Sequence, residues 1–194
     1  MKIRSYGWVL CLALFACLTE AKEPLNFIQA AGQGELTAVE QFLVKGMDVD
    51  TQNNKGKTAL MMAAIYGNQD MLKLLYAAGA DIDQVDNSGN AALIDAAAMG
   101  QLESSRFLIQ VGADVNVKNQ RGISPLHAAL NARSKALASL LITSGADVNS
   151  VDLLERTPFA VAKLSEQTEV MELLKKSGAV LKTAEPGKEE PAAE

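Results

Sequence analysis

Short apolar runs alternate with polar, turn-rich segments along most of the chain. In the segment 71–75, Met-Leu-Lys-Leu-Leu, apolar side chains recur at the three- and four-residue spacing of one helix face. A glycine follows each such run, where it predicts a left-handed C-cap. Tetrads rich in Asn and Asp that end in glycine, such as 86–89, predict tight hairpin turns. The pattern therefore predicts a unit of hairpin, helix, short turn and helix.

This unit recurs with a period of 33 residues. The tripeptide Gly-Ala-Asp starts at Gly79, Gly112 and Gly145, and Gly46 and Gly178 extend the same column in both directions. One such unit cannot bury enough apolar surface to fold alone, so neighbouring units must stack. The sequence predicts an all-α repeat solenoid of about five helix-turn-helix units with β-hairpin loops.

Two motifs carry a family resemblance. They are Ser-Pro-Leu-His-Ala-Ala at 124–129 and Gly-Ala-Asp-Val-Asn at 145–149. They match the ankyrin-repeat signature Thr-Pro-Leu-His-x-Ala-Ala and Gly-Ala-Asp-x-Asn, and the chain resembles that family over roughly residues 25–181. The resemblance implies an ankyrin-repeat domain at 22–182 that binds a protein through its hairpin tips and concave helix face.

Three departures from the signature are visible. Ala91 stands where the other units have Thr or Ser, so the start of that helix is less well fixed. The first unit has no hairpin before it and is predicted to be an N-terminal cap. The last unit carries scattered charges that suit a C-terminal cap facing water; they are Lys163, Glu166, Glu169, Glu172, Lys175 and Lys176.

The first 21 residues have the features of a secretory signal peptide. Lys2 and Arg4 precede an apolar run from Trp8 to Leu18, and Thr19-Glu20-Ala21 offers small residues for cleavage. The run is too short for a membrane span of roughly 20 residues. Cleavage after Ala21 would release a protein that acts in the bacterial periplasm. Alternatively, the segment 14–17, Leu-Phe-Ala-Cys, resembles a lipobox that would make Cys17 a lipidated first residue.

Composition limits the partners further. Both cysteines, Cys11 and Cys17, lie in the signal segment, so the mature soluble form would have no disulfide. The net charge is −5, and there is no basic cluster, so nucleic acid and anionic lipid surfaces are not expected partners. The tail 183–194, made of Pro, Glu, Ala, Gly, Lys and Thr, is expected to be disordered. The protein is expected to be a monomer.

Candidate chemistry is sparse. His127, the single histidine, could be a general base, but it fills the His column of the repeat and has no Ser, Cys or second His partner outside the repeat pattern. Asp81, Asp83 and Asp86 do not follow the spacing of a calcium loop. The sequence therefore predicts a binding scaffold without catalytic residues, bound metal or cofactor.

Exposed columns that depart from polar usage mark the candidate binding site. On adjacent inner helices, Met62, Ile65, Tyr66 and Met99 form an apolar and aromatic set, and Asp95 lies in the Met62 column. Extra core packing is the alternative interpretation of this set.

The fourth hairpin tip is a second departure. Leu153 and Leu154 replace polar pairs, and Glu155 replaces the glycine of the other tips. We expect the two leucines to contact a partner; alternatively, the tip folds back onto the last repeat.

These residues point to a periplasmic protein that binds another protein. The partner could be an enzyme or effector that this protein inhibits, or a periplasmic enzyme that it assists. A lipid-anchored structural adaptor at the envelope is the alternative. The identity of the partner does not follow from the sequence.

Overall fold

The computed structural model describes residues 23–180, and ten α-helices lie in this part of the chain. They are α1 (Glu23–Gln33), α2 (Leu36–Val44), α3 (Ala59–Tyr66), α4 (Gln69–Ala77), α5 (Ala92–Ala98), α6 (Leu102–Gln110), α7 (Pro125–Asn131), α8 (Lys135–Thr143), α9 (Pro158–Leu164) and α10 (Thr168–Lys176). The odd-numbered helices stack in chain order as an inner layer, and the even-numbered helices stack behind them as an outer layer. The predicted all-α repeat solenoid is confirmed. The signal segment 1–21 and the tail 183–194 lie outside the described residues.

The inner helices begin at the Thr and Ser column. The hydroxyls of Thr58, Ser124 and Thr157 each accept a hydrogen bond from the backbone N–H three residues later. Ala91 caps α5 without such a bond, as the missing hydroxyl predicts. No helix in residues 23–180 is both long enough and apolar enough to cross a bilayer.

The outer helices end at the glycine column. Gly46, Gly79, Gly112, Gly145 and Gly178 all have φ between 87° and 102°. An L side chain is strained in this region, so glycine is the favoured residue. The predicted left-handed C-caps are therefore confirmed.

The hairpin tips are closed by their first residue. This residue is an Asn or an Asp, and its side-chain Oδ1 accepts hydrogen bonds from the backbone N–H groups two and four residues later. The four residues are Asn53, Asp86, Asn119 and Asp152. Successive tips are linked by one backbone bond, for example from Leu153 N–H to the Arg121 carbonyl at 3.0 Å. The five residues of a tip leave little room for a ladder, so only an isolated bridge between Val85 and Ala91 forms within residues 23–180.

A second series of hydrogen bonds between repeats joins the turns that follow the outer helices. Asn116 accepts a bond from Asp147 N–H at 2.8 Å, and its amide donates to the Gly145 carbonyl at 3.2 Å. Asp50 occupies the same column two repeats earlier and accepts from Asp81 N–H at 3.0 Å. A carboxylate cannot donate to the Gly79 carbonyl, the equivalent of the Gly145 carbonyl. Burial raises the pKa of Asp50, the bond from Asp81 N–H opposes this, and the charges of Asp48 and Asp81 add to it.

Asp50→Asn is therefore expected to raise the free energy of unfolding at pH 7 by about 1 kcal/mol, the net value of one hydrogen bond. The folded-state pKa of Asp50 is raised, so its carboxyl group favours folding at low pH and loses this effect as pH rises through that pKa. The advantage of the variant should therefore shrink in acid. Urea unfolding at pH 7 and pH 4 measures both effects, and the reverse change Asn116→Asp is expected to destabilise.

His127 links two repeats inside the core. Its side chain is fully buried, with Nδ1 2.9 Å from Ser124 Oγ and Nε2 3.0 Å from the Arg156 carbonyl oxygen. A carbonyl only accepts, so Nε2 carries the proton and Nδ1 accepts from the Ser124 hydroxyl. Burial lowers the pKa of the imidazole, which keeps it neutral. Both nitrogens are used within the fold.

We expect His127→Gln to lower the free energy of unfolding by about 1 kcal/mol, because glutamine cannot preserve both hydrogen bonds. Binding of a partner should be retained, since the side chain does not reach the surface. Thermal unfolding and a binding assay on the same sample test this. Loss of an activity at unchanged stability would instead assign chemistry to His127.

Candidate functional site

The middle inner helices and the neighbouring hairpin tips line one groove. Residues of α5 and α7 and of the second, third and fourth tips contribute to the same concave surface. Two helix columns contribute Ala98, Asn131 and Ala132 to this groove, and the repeat carries the same columns along the neighbouring inner helices. The first holds Ile65, Ala98, Asn131 and Leu164, and the second holds Tyr66, Met99, Ala132 and Ser165. Their side-chain sizes therefore set the shape of the groove.

The predicted apolar set lies at the N-terminal end of this groove. Tyr66 is 62% exposed and Met99 is 59% exposed, whereas Met62 and Ile65 are half-buried. A Cβ atom placed on Gly32 of α1 would lie 3.2 Å from Tyr66 Cε2 and 3.3 Å from Met62 Cε. Tyr66 and Met62 thus pack closely against the first inner helix, and a residue larger than glycine at position 32 would have to displace their side chains slightly. Tyr66 and Met99 project most of their apolar surface to solvent.

Asp95 lies beside this set but is largely buried. Lys57 Nζ bridges it to Asp86, whose Oδ2 is 2.8 Å away. Burial raises the pKa of Asp95, although the hydrogen bond and charge of Lys57 act against the rise. For Asp86, burial alone would raise the pKa, but hydrogen bonds from Lys57, Asn90 and Ser88 N–H hold it below its usual value. The bridge ties the start of α3 to the following repeat.

The fourth tip presents both leucines to solvent. Leu153 and Leu154 are each 71% exposed, so the tip does not fold back over them. Glu155 has φ of 56°, in the column where Gly56, Gly89 and Gly122 have φ from 71° to 78°. The glycine turn is thus kept with a non-glycine residue, a conformation that costs on the order of 1 kcal/mol.

Two groups in the groove were missed by sequence reasoning. Leu164, at the end of α9, is 73% exposed and stands in the column of Ile65. Arg121 and Arg156, from the third and fourth tips, line a hollow between α5 and α7. Comparison of the Ile65 column could have found Leu164. The position of the two arginines could not be predicted, because it depends on which hairpin tip lies over which helix.

The sequence model of the ankyrin-repeat family matches the chain twice, over residues 27–119 and 107–184. These matches cover most of the chain, in the same region as the stacked helix pairs described above. The chain belongs to the ankyrin-repeat family. Ankyrin repeats are a protein-interaction scaffold and are generally not enzymes.

A plant protein shares part of this sequence. The chain is 35% identical over 65 residues to the E3 ubiquitin-protein ligase XBAT33 of Arabidopsis thaliana. The aligned segment is 34% of this chain and 12% of that protein. The likeness thus covers a small part of the plant protein.

Proposed function

We propose that this is an exported bacterial protein that binds a partner protein in the periplasm through its groove and its fourth hairpin tip. The observation that carries the proposal is the exposure of large apolar side chains on this surface, namely Tyr66, Met99, Leu153 and Leu154. Exposed apolar clusters are typical of protein contacts, and aromatic side chains are frequent energetic anchors. The half-buried Met62 and Ile65 and the largely buried Asp95 complete the proposed binding surface.

Export is supported by the sequence of residues 1–21, with its positive start and apolar run. In this setting the bound partner is either an enzyme or effector that the scaffold inhibits, or a periplasmic enzyme that it assists. The alternative is a lipid-anchored adaptor that starts at an acylated Cys17. The intact mass of the mature protein distinguishes that form from one that starts at Lys22.

Tyr66→Ala with Met99→Ala is expected to weaken capture of the partner by roughly 30-fold or more, because each truncation removes a candidate anchor from the groove. The measurement is retention of the partner from a periplasmic extract on the immobilised protein, with circular dichroism as a check of the fold. Tyr66 and Met99 are mostly exposed, so the variant should remain folded.

A matched control is available on the outer layer. Tyr76 is 43% exposed on α4, and Val44 is 88% exposed at the end of α2. Tyr76→Ala with Val44→Ala removes similar apolar surface away from the groove and should leave capture unchanged. If the groove variant captures the partner as well as the control variant does, the binding surface lies elsewhere. If the groove variant unfolds, Tyr66 and Met99 belong to the core.

A further inference from the structure

The groove contains a hollow of about 430 Å³ between α5 and α7. Its helical side includes Ala98, Ala128, Asn131 and Ala132, and the third and fourth tips contribute Arg121 and Arg156 to its lining. The hollow lies where Ala98 stands in the column of Ile65 and Leu164, and where Ala132 stands in the column of Tyr66. Large apolar side chains thus flank a recess with a polar lining.

The acidic group that lines the hollow has an ion-pair partner, whereas the two arginines keep hydrogen-bond donors without one among residues 23–180. Asp95, the carboxylate that lines it, is already paired with Lys57. Arg156 bonds Asp152 through Nε at 2.8 Å and Nη2 at 2.6 Å, and no partner for its Nη1 is found within residues 23–180. The exposed Arg121 side chain forms no ion pair with any residue of that range. The hollow therefore has spare guanidinium donors and a carboxylate that is already engaged.

The spacing of the inner helices sets the length of a partner segment that could bind along the groove. Ile65 on α3 and Leu164 on α9 are three inner-helix steps apart, and packed helix axes lie roughly 8–10 Å apart. A segment that rests on both must span on the order of 30 Å, which an extended chain covers with about nine residues. Its central residue then lies over the hollow.

Building on the proposed function, we propose that the hollow binds an Asp or Glu side chain of an extended partner segment, whose flanking apolar residues rest on Tyr66 and Met99 at one end and on Leu164 at the other. A carboxylate matches the planar fork of a guanidinium and forms charge-assisted hydrogen bonds with it. A single negative charge also suits this site better than a doubly charged group, because Asp95, Asp86 and Asp152 lie close by.

The test is a selection of random 16-residue peptides, displayed on phage, on the purified protein. The enriched peptides should carry Asp or Glu at one position between apolar residues. For a synthetic peptide from the selection, Glu→Gln at that position or Arg121→Gln in the protein should weaken binding at least tenfold. Arg121→Glu should restore binding of a peptide that carries Lys there.

Lys55 is the matched control, since it occupies the Arg121 column in the first tip and does not line the hollow. Lys55→Gln should change the affinity less than twofold. The proposal is overturned if no peptide is enriched, if the enriched peptides share no acidic position, or if Arg121→Gln and Lys55→Gln act alike. Peptides that require Tyr66 but no acidic residue would refute the carboxylate site and leave the proposed function intact. Partner capture by the Tyr66 and Met99 variant tests that function separately.

Discussion

Lys57→Met is expected to lower the free energy of unfolding by about 3 kcal/mol, because it leaves a buried carboxylate without a partner. The Lys57 side chain is 15% exposed, and those of Asp86 and Asp95 are 5% and 12% exposed. Asp86 keeps bonds from Ser88 N–H and Asn90 after the change. Within residues 23–180, the carboxylate of Asp95 has Lys57 as its one hydrogen-bond donor. Urea unfolding at pH 7 measures the loss.

The deficit of this variant should depend on pH. Burial raises the pKa of Asp95 even with Lys57 present, and removal of the ammonium group should raise it further. A carboxyl group with a raised folded-state pKa favours folding below its unfolded pKa, about 3.9, and loses this effect as pH rises through the folded-state value. At low pH Asp95 is protonated and can be buried without a charged partner. The difference in unfolding free energy between Lys57→Met and the wild type should therefore narrow as pH falls.

Two controls isolate the buried ion pair. Asp95→Ala in the Lys57→Met background removes the stranded charge, and the repeat already accepts alanine at the equivalent Ala128. This double variant should recover most of the loss. Lys135→Met breaks an ion pair with Glu169 that also joins neighbouring repeats but is exposed to solvent, so it should cost far less than Lys57→Met. A double variant no more stable than Lys57→Met alone would contradict the explanation.

The periodic features of the fold could be predicted because they depend on local chemistry. Left-handed glycines, hydroxyl caps and Asn or Asp turn residues each act within a few positions, and a column repeated every 33 residues shows the same choice several times. The missing cap at Ala91 was predictable for the same reason. So was the exposure of Leu153 and Leu154, because the polar residues of the equivalent tips place that column in solvent.

The features that escaped prediction depend on contacts between repeats. The Lys57–Asp95 pair joins positions 38 residues apart in non-equivalent columns. No column comparison brings these two residues together. Arg133 and Glu166, with φ of 55° and 56°, were overlooked although a column signal exists, since Gly34, Gly67 and Gly100 precede them at the repeat spacing. The same logic that identified Glu155 would have found them.

Leu153→Ser with Leu154→Lys is expected to weaken capture of the partner by roughly 30-fold while leaving stability unchanged and solubility equal or better. Truncation of a buried interface anchor costs roughly 2 kcal/mol or more, and each 1.4 kcal/mol is tenfold in affinity. Both leucines are 71% exposed in the unbound chain, so their replacement by polar residues removes little core packing. The backbone bonds that hold the tip, from Leu153 N–H to Arg121 and from Leu154 N–H to Asp152, do not require these side chains.

The matched control places the same residues in the second tip, where Asn87→Ser with Ser88→Lys alters the equivalent columns. Capture by this control should equal that of the wild type, because no exposed apolar side chain is lost. Retention of the partner on the immobilised variants and urea unfolding of each supply the two readouts. A loss of several kcal/mol in the leucine variant would show that the fourth tip contributes to the core. Unchanged capture at unchanged stability would remove Leu153 and Leu154 from the binding surface, and the partner would then rest on the groove around Tyr66 alone.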